Sequence, residues 1–414
     1  MLKPSHIEST SAQSPAATQS TPNIAPIEST PRPKPTKNIL LLSDFDITKR
    51  PRPYRMLTAL LGHYNLYAIA KECSPIKGVE TFSYPPAKSA KERSQEEQDL
   101  LISRCKNKDF LPLIFTPNRL PITQILESLP PMHAIIIEDI TLLPFATAYK
   151  RAHPHTKLLI DLREYYPLEY ENDPAWLESF GAFFYFLCQQ YLPQVDFAFS
   201  VSEAIARRYY EEFGLPCEIL YSLPPYHALT PSPVGERIEI VYHGFLSPDR
   251  NSLALLEIAR HLKPHFRINI LGLSNQKGFL ESLQSNAPKN MRFLPPVEMR
   301  EIIPFTQRFD LGILTLTPNT FNNANAMPNK FFEYIQARLG VISTPLDSLK
   351  PLIAQGGFGT CSRDFTPASL VESINSLTPH DIESFKHHSH QNAKNFSLEQ
   401  NQTKILSWLR ELLA

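Results

Sequence analysis

Residues 330–339 (KFFEYIQARL) lie between two short apolar runs, residues 310–314 (DLGIL) and 340–343 (GVIS). The apolar residues of the middle stretch recur at helical spacing. The flanking runs are continuously apolar, which is typical of parallel strands buried on both faces. A strand, a helix and a second strand in this order predict a parallel βαβ unit. A second clear helix is predicted at residues 253–262 (LALLEIARHL).

The same alternation extends over most of the chain, in two series of predicted strands. The first series comprises residues 39–42, 66–70, 134–137, 157–161, 196–201 and 218–221. The second series comprises residues 238–242, 266–271, 291–294, 310–314, 340–343 and 358–361. Because helical segments separate several of these strands, we predict two doubly wound, Rossmann-like α/β domains. Such sheets bind ligands at the carboxyl ends of their strands.

The break between the two series is residues 222–236, which contain four prolines and show no strong period. This composition predicts an interdomain linker. It divides the chain into an amino-terminal domain at residues 37–221 and a carboxyl-terminal domain at residues 237–394, each near the usual domain size. Residues 395–414 are predicted to form a last helix, in which Ser397-Leu-Glu-Gln fits a capping box.

Two further segments differ in composition from the predicted domains. Residues 1–36 are dominated by Ser, Thr, Pro and Ala and lack the apolar stretch of a secretory signal, so we predict a disordered tail. Residues 83–110 are rich in Lys and Glu and predict an exposed helical insertion.

The glycine content of the 414-residue chain narrows the nucleotide-binding folds that it can form. Only 13 glycines accompany 39 prolines, and Gly62, Gly78 and Gly181 are the only glycines before residue 210. Neither G-x-G-x-x-G nor G-x-x-x-x-G-K-[ST] occurs anywhere in the sequence. A Gly-rich phosphate loop in the first half is therefore excluded.

Charge, cysteine usage and hydropathy exclude other classes. Lys and Arg together number 41, as do Asp and Glu, without a long basic run, which argues against a nucleic-acid partner. The five dispersed cysteines show no C-x-x-C spacing and favour a reducing, cytoplasmic location over a zinc site or disulfide framework. The most apolar run, residues 180–187 (FGAFFYFL), is too short to span a membrane and predicts a core helix.

The strongest chemical signal is the stretch 325–334 (NAMPNKFFEY). Pro328 fits the first turn of a helix, and the free N–H groups of a helix start suit a phosphate. Lys330 and Glu333 share one helix face, where Lys330 can meet a diphosphate oxygen and Glu333 can accept from a ribose diol. Spacing alone favours a simpler interpretation, a surface Lys–Glu pair over an apolar core stripe.

Residues 328–334 (PNKFFEY), followed by a helix and residues 340–343, resemble the donor-binding motif of the GT-B glycosyltransferases. They are most similar to the retaining enzymes of glycosyltransferase family 4. The resemblance places Glu333 at the ribose-binding Glu of an E-x7-E motif and makes Asn329 a donor-binding residue. Asn325 occupies the first acidic position, where an amide can bind a sugar hydroxyl but cannot act as a base.

Residues 240–251 (IVYHGFLSPDRN) are similar to the first strand and loop of the family's donor domain. The resemblance implies that Gly244 lets the backbone approach the phosphates. It also makes Arg250 the cation that neutralises the leaving diphosphate, and thus catalytic together with Lys330. A turn glycine and a solvated arginine would also explain these two residues.

In the amino-terminal domain, residues 159–167 (LIDLREYYP) resemble a strand end that relatives write as D-x-H-E-x-x-P. Arg163 stands at the position of the His; it cannot be a base, but it can bind an anionic acceptor. Asp161, Glu164 and, after the strand at 134–137, Asp139 are candidate acceptor or cleft residues. A plain Asp–Arg pair capping the strand end stays an equally open interpretation.

The first predicted strand is followed by Asp46 and by residues 50–55 (RPRPYR). Asp46, Arg52 and Arg55 either line the cleft or belong to a plain helix start with solvated arginines.

The resemblance implies a GT-B architecture, with two Rossmann-like domains facing across a cleft. It also implies transfer of a sugar, with retention, from a UDP- or GDP-linked donor to a glycan or lipid-linked acceptor, as in bacterial polysaccharide biosynthesis. We expect no metal and no cofactor, because Arg250, Lys330 and backbone N–H groups supply the positive charge. Contact with the inner face of a membrane stays open.

Two alternatives to this activity are kept. One is a non-catalytic, GT-B-like protein that binds nucleotide sugars or acts in assembly. The other is a sugar-nucleotide epimerase, against which the missing His and Asn325 count.

Overall fold

The computed structural model describes residues 36–89 and 91–414. Within these residues the strands form two parallel sheets, of seven and six strands, with helices around them. This is the two-domain Rossmann-like architecture that the alternating sequence pattern predicts. The predicted disordered tail lies outside the described residues, apart from Thr36.

The first sheet has the strand order β3-β2-β1-β4-β5-β6-β7, and all of its neighbouring strands pair in parallel. Its strands are β1 (Asn38–Ser43), β2 (Asn65–Lys71), β3 (Glu80–Tyr84), β4 (Ala134–Ile137), β5 (Lys157–Leu162), β6 (Phe197–Ser200) and β7 (Glu218–Ile219). Both faces of β1 are buried, since Leu40 and Leu42 join one apolar cluster while Ile39 and Leu41 join another.

The second sheet has the strand order β10-β9-β8-β11-β12-β13, again with parallel pairing throughout. Its strands are β8 (Ile238–Phe245), β9 (Phe266–Leu273), β10 (Met291–Phe293), β11 (Leu311–Leu314), β12 (Gly340–Ser343) and β13 (Gly359–Cys361).

Helices connect the strands and cover both sheets. Those of the first half are α1 (Pro51–Leu60), α2 (Gln95–Lys106), α3 (Leu111–Ile114), α4 (Pro121–Ser128), α5 (Leu143–Ala152), α6 (Pro174–Trp176), α7 (Ala182–Tyr191) and α8 (Glu203–Phe213). Those of the second half are α9 (Ala254–His261), α10 (Phe279–Ser285), α11 (Ile302–Thr306), α12 (Phe321–Ala324), α13 (Asn329–Gln336), α14 (Lys350–Gly356), α15 (Pro367–Asn375), α16 (Pro379–Asn392) and α17 (Leu398–Leu412). Within the described part of the chain, none is both long and apolar enough to cross a lipid bilayer.

Strand order reverses once in each sheet, and these two places position the candidate site. In the first sheet the reversal lies between β1 and β4, and in the second it lies between β8 and β11. Crossover connections leave a crevice at such a point, beyond the carboxyl ends of the strands. The residues that follow β1 and those that end β8 are therefore candidates for a ligand-binding site.

Helix α17 packs against the first sheet rather than the second. Ile405 and Leu409 are buried in the same cluster as Leu41, on the face that α1 also covers. The start of α17 holds the segment that joins the two sheets, because the Leu398 N–H donates to the Pro224 carbonyl at 2.8 Å. Helix α17 therefore completes the apolar core on this face of the first sheet.

Three details differ from the sequence predictions. Strand β3 was not predicted, because this edge strand is short and largely polar, and only Tyr84 in it is buried. Its last two residues fall in the predicted insertion at 83–110, which is helical only from α2 onward. The predicted capping box at Ser397 is wrong: its hydroxyl donates back to the Lys394 carbonyl at 2.8 Å and caps nothing in α17.

Residues 222–236, the predicted linker, contain neither helix nor strand. The segment is nevertheless packed at its start, where Ser222 and Leu223 are buried. The exact domain boundaries stay a prediction.

We expect Leu409→Ala to lower the free energy of unfolding by about 2–5 kcal/mol, because it leaves a cavity between α17 and the first sheet. Urea unfolding followed by circular dichroism measures this effect. Leu100→Ala is the matched control, since Leu100 in α2 is 51 % exposed and should change stability by less than about 0.5 kcal/mol. Equal effects of the two substitutions would contradict the packing of α17.

Candidate active site

A cavity of about 620 Å³ opens at the carboxyl ends of β8 and β9, between the start of α13 and the loop that joins β1 to α1. We call it the interdomain cavity. Its lining includes charged and polar residues as well as two glycines: Lys49, Arg50, His243, Gly244, Arg250, Gly272, Asn329, Lys330 and Glu333. Five predicted site residues, Gly244, Arg250, Asn329, Lys330 and Glu333, are therefore brought together around one space.

Lys330 and Gly244 fit each other closely on the donor side of this cavity. Gly244 has a φ of +115°, a region that L side chains rarely adopt. A Cβ atom at Gly244 would also lie 2.9 Å from the Lys330 Cε. The Lys330 Nζ lies 3.8 Å from the centroid of the Tyr242 ring. Only glycine at position 244 therefore lets the ammonium group lie against the end of β8.

The cavity carries a concentration of positive charge. Burial lowers the pKa of the Lys330 ammonium, and the nearby Arg250 guanidinium lowers it further. Arg250 is exposed at the end of a short 3-10 turn, Pro248–Arg250, and its side chain makes no hydrogen bond or ion pair with any described residue. Asn329 is the first residue of α13, whose free N–H groups add the positive end of the helix dipole. An anion is the ligand that this wall favours.

Glu333 lies where the two halves of the chain meet. Its Oε1 accepts a hydrogen bond from the Arg55 Nη2 of α1 at 2.7 Å, and both side chains are largely buried. The Arg55 Nη1 also donates to the Ser222 carbonyl at 2.8 Å. A carboxylate offers about four lone-pair sites, so Glu333 keeps acceptor capacity for a diol in the cavity.

His243, which sequence reasoning did not assign, lies beside Glu333. Its Nε2 is 3.6 Å from the Glu333 Oε2, too far for a hydrogen bond, and finds no partner among the described residues. Burial lowers the pKa of His243 to about 4, although Glu333 opposes the shift. The ring is therefore neutral at pH 7, with a buried nitrogen that a ligand or a water molecule must satisfy.

Asp161 is placed differently from the expectation of an acceptor contact. It is fully buried at the end of β5, and its two oxygens accept from the Arg52 Nε and Nη2, the latter at 2.7 Å. Arg52 also donates to the Leu220 carbonyl at 2.7 Å. Asp161 thus holds α1 in place and offers no free face, and Arg52 and Arg55 are paired rather than solvated.

Asp139, Asn325 and Asp46 serve local turns. The Asp139 Oδ1 accepts from the Thr141 N–H at 2.8 Å and so caps the turn after β4. The Asn325 Nδ2 donates to the Phe321 carbonyl at 2.8 Å, back into α12, and Asn325 does not line the interdomain cavity. Asp46 caps the turn before α1 and accepts from Ser74. None of the three carboxylate or amide groups is aimed into the cavity.

Arg163 and Glu164 lie after β5, near Arg50 of the cavity wall rather than in the wall itself. Burial disfavours the charged Arg163, but Tyr166 and the neighbouring carboxylates outweigh it and hold the pKa of Arg163 well above its ordinary value. Burial raises the pKa of Glu164. Arg163 is therefore a permanent cation among carboxylates.

Two carboxylates at this edge of the first sheet have a strongly raised pKa. Burial raises the pKa of Asp44 to about 7, and Asp139 adds to the rise. Burial raises the pKa of Glu169 to about 8, with Glu164 contributing. We call Asp44, Asp139, Glu164 and Glu169 the acidic edge. Sequence reasoning missed Asp44 and Glu169, although Asp44 lies two residues after the predicted strand at 39–42.

Glu138 is a further buried carboxylate that sequence reasoning did not use by itself. It is 0 % exposed directly after β4, and as a carboxylate its oxygens accept no hydrogen bond from any described residue. Burial, followed by the nearby Asp161 carboxylate, raises the pKa of Glu138 to about 8. Burial beside a second carboxylate therefore favours the protonated form of Glu138, which can donate to Asp161.

We expect Arg55→Met to lower the free energy of unfolding by about 3–5 kcal/mol, because it leaves the buried Glu333 carboxylate without its partner. The double variant Arg55→Met with Glu333→Gln should lose less than the sum of the two single changes. Urea unfolding of all four proteins gives the coupling free energy, which we expect to be about 0.5–3 kcal/mol. Additive effects would show that the ion pair does not join the two halves.

We expect acid to destabilise the fold through His243. The folded protein binds this proton only near pH 4, whereas an unfolded histidine binds it near pH 6.5. Its contribution to stability is thus complete above pH 6.5 and is lost as the pH falls toward 4, by on the order of 3 kcal/mol. His243→Gln should flatten this part of the profile of unfolding free energy against pH. A variant with the wild-type slope would contradict the assignment.

The chain was compared with known proteins. No protein-family model and no curated protein matches it. Solved structures do match. HepE of Anabaena, crystallised with UDP and glucose, is 13 % identical with a TM-score of 0.67, over 91 % of this chain and 100 % of HepE.

Two other similar structures come from Burkholderia vietnamiensis and E. coli. An α,α-trehalose-phosphate synthase (UDP-forming) from Burkholderia vietnamiensis is 12 % identical with a TM-score of 0.62, over 91 % of this chain and 99 % of that one. An E. coli structure bound with UDP-2-fluoro glucose is 12 % identical with a TM-score of 0.62, over 90 % and 98 %. At these identities the likeness concerns the fold, and the chain has the two-domain fold of the GT-B glycosyltransferases.

Proposed function

We propose that this protein is a glycosyltransferase that moves a sugar from a nucleotide-diphosphate sugar to an acceptor hydroxyl. The observation that carries the proposal is the group of Lys330, Arg250 and the start of α13 around the interdomain cavity, with Gly244 leaving room for Lys330. Such a wall suits a diphosphate. The similar structures that hold UDP or a UDP-sugar support UDP as the first nucleotide to test.

The chemistry follows from where charge develops. The bond between the anomeric carbon and the diphosphate oxygen breaks, and the electron pair leaves with the diphosphate. The Lys330 ammonium, the Arg250 guanidinium and the free N–H groups of α13 stabilise this growing negative charge. The acceptor oxygen forms the new bond to the anomeric carbon, and its proton passes to a basic oxygen, which the departing diphosphate itself offers.

Other parts of the donor have counterparts in the same cavity. Glu333 can accept from the ribose diol with the lone pairs that Arg55 leaves free. The resemblance of residues 328–334 to a retaining family supports retention of the anomeric configuration. The dispersed free cysteines support a reducing, cytoplasmic location.

The decisive experiment is a thermal-shift and calorimetric screen with UDP, GDP, CMP and their sugars. A nucleotide present at 100 times its Kd should stabilise the protein by about 2.7 kcal/mol. We expect UDP or GDP to raise the unfolding temperature and CMP to leave it unchanged. A protein that ignores every nucleotide is not a nucleotide-sugar glycosyltransferase, and one that binds UDP-sugars without hydrolysing or transferring them is a binding protein.

We expect Lys330→Ala to reduce turnover of the nucleotide sugar by roughly 10²-fold or more, since it removes one group that stabilises the developing charge. Release of the nucleoside diphosphate is the measured rate. Lys289→Ala, which changes an exposed lysine outside the interdomain cavity, is the matched control and should retain the full rate. Unchanged turnover in Lys330→Ala would remove this residue from the mechanism.

We also propose that transfer proceeds without a metal ion, because protein cations provide the compensating charge. An excess of EDTA should therefore change the activity by less than about two-fold, because the Lys330, Arg250 and α13 N–H groups do not depend on a metal ion. Nucleoside diphosphate release with and without EDTA measures this. Loss of activity that magnesium or manganese restores would overturn the proposal.

A further inference from the structure

A second cavity, of about 480 Å³, lies entirely in the amino-terminal half, beyond the carboxyl ends of β1, β2 and β3. We call it the amino-half cavity. Its lining includes Lys71, Arg93 and Arg119, together with Lys88, which is ion-paired with Glu97, and Asp44 of the acidic edge. The mechanism proposed above uses none of these cations.

Lys71, Arg93 and Arg119 lack carboxylate partners within ion-pair distance among the described residues. The Arg119 Nη2 donates to the neutral Thr141 hydroxyl at 2.9 Å, and the Arg93 Nη1 donates to the neutral Gln98 at 3.3 Å. The Lys71 Nζ lies 4.2 Å from the centroid of the Phe45 ring. Asp44 is the one carboxylate among the lining residues that the structure describes, and Lys71 and Arg119 act on it electrostatically. Three cations without an ion pair outnumber this carboxylate and favour an anionic group brought by a ligand.

Part of the lining is apolar and aromatic. It is built from Phe180, Phe183 and Phe184, which belong to the most apolar run of the sequence. Residues Leu177–Gly181, which overlap the start of this run, form a π-helical turn that leads into α7. π-helical turns are rare in proteins, and those that occur are frequently found at functional sites. This part of the lining thus fits a flat or flexible apolar group.

The two cavities are neighbours. Phe45, in the loop after β1, contacts both Lys71 of the amino-half cavity and Arg50 of the interdomain cavity. The Arg50 Cζ lies 3.7 Å and the Lys71 Nζ 4.2 Å from the centroid of the Phe45 ring. One residue therefore contacts the lining of both cavities.

We infer that the amino-half cavity binds the acceptor, and that this acceptor is a phosphate ester with an apolar group. A phosphate monoester carries close to two negative charges at neutral pH, which matches three cations without an ion pair better than a carboxylate does. The phosphate lies against Lys71, Arg93 and Arg119, and the apolar group lies against the phenylalanines. This inference rests on the proposed glycosyl transfer for the word acceptor, but the site itself does not depend on it.

Isothermal titration calorimetry of the full chain with geranyl phosphate tests the inference. We expect geranyl phosphate to bind at least ten-fold more tightly than geraniol, which lacks the charge, and than inorganic phosphate, which lacks the chain. Glucose 6-phosphate is the polar ester in the series and should also bind at least ten-fold more weakly. Equal binding of the two esters would overturn the apolar half of the inference.

Variants assign the site. Lys71→Gln and Arg119→Gln should each weaken binding of geranyl phosphate by roughly ten-fold or more, since each loses a charge-assisted contact. Phe184→Ala should weaken geranyl phosphate and leave inorganic phosphate unchanged. Lys77→Gln is the matched control, because Lys77 is exposed and does not line the cavity. Unfolding temperatures of all variants establish that they are folded.

UDP titrated into the same proteins separates this inference from the proposed function. Lys71→Gln and Arg119→Gln should leave the affinity for UDP within two-fold of the wild-type value. If UDP binds and geranyl phosphate does not, the acceptor site is wrong while the proposed function stands. If geranyl phosphate binds with the expected dependence on charge and neither UDP nor GDP does, the cavity is confirmed and the glycosyltransferase proposal fails.

Discussion

The ion pair between Arg55 and Glu333 ties the amino half of the molecule to the wall of the interdomain cavity. One helical turn away, Arg52 binds Asp161 in the first sheet. Two arginines near the amino end of α1 oppose the helix dipole, so neither stabilises the helix that carries it. Each is compensated by a carboxylate from another element. Helix α1 thus connects β5, the segment at residue 222 and α13.

The interdomain cavity collects positive charge from both halves of the chain. The second half contributes Lys330, Arg250 and the start of α13, and the first half contributes Lys49 and Arg50. The acidic edge lies outside this lining, and burial raises the pKa of Asp44 to about 7 and that of Glu169 to about 8. An anionic ligand in this cavity therefore meets cations from both halves.

The sequence predicted the parallel sheets well because buried parallel strands are continuously apolar and therefore visible as runs. It also assigned Gly244, Arg250, Lys330 and Glu333 to one site, and all four line the interdomain cavity. It could not predict that Arg55 binds Glu333, because local spacing contains no information about contacts between residues 278 positions apart. Strand β3 was not predicted for a related reason, because an edge strand is only half buried and shows no apolar run.

Because α17 is synthesised after both sheets, its packing against the first sheet affects how the amino half folds during synthesis. During synthesis the whole second sheet emerges before α17 does, yet α17 covers the face of the first sheet that bears Leu41. It also holds the connecting segment, through the Asn401 Nδ2 that donates to the Tyr221 carbonyl at 2.7 Å. The amino half, although made first, therefore cannot complete its core alone. Its apolar face stays incomplete until Ile405 and Leu409 have left the ribosome.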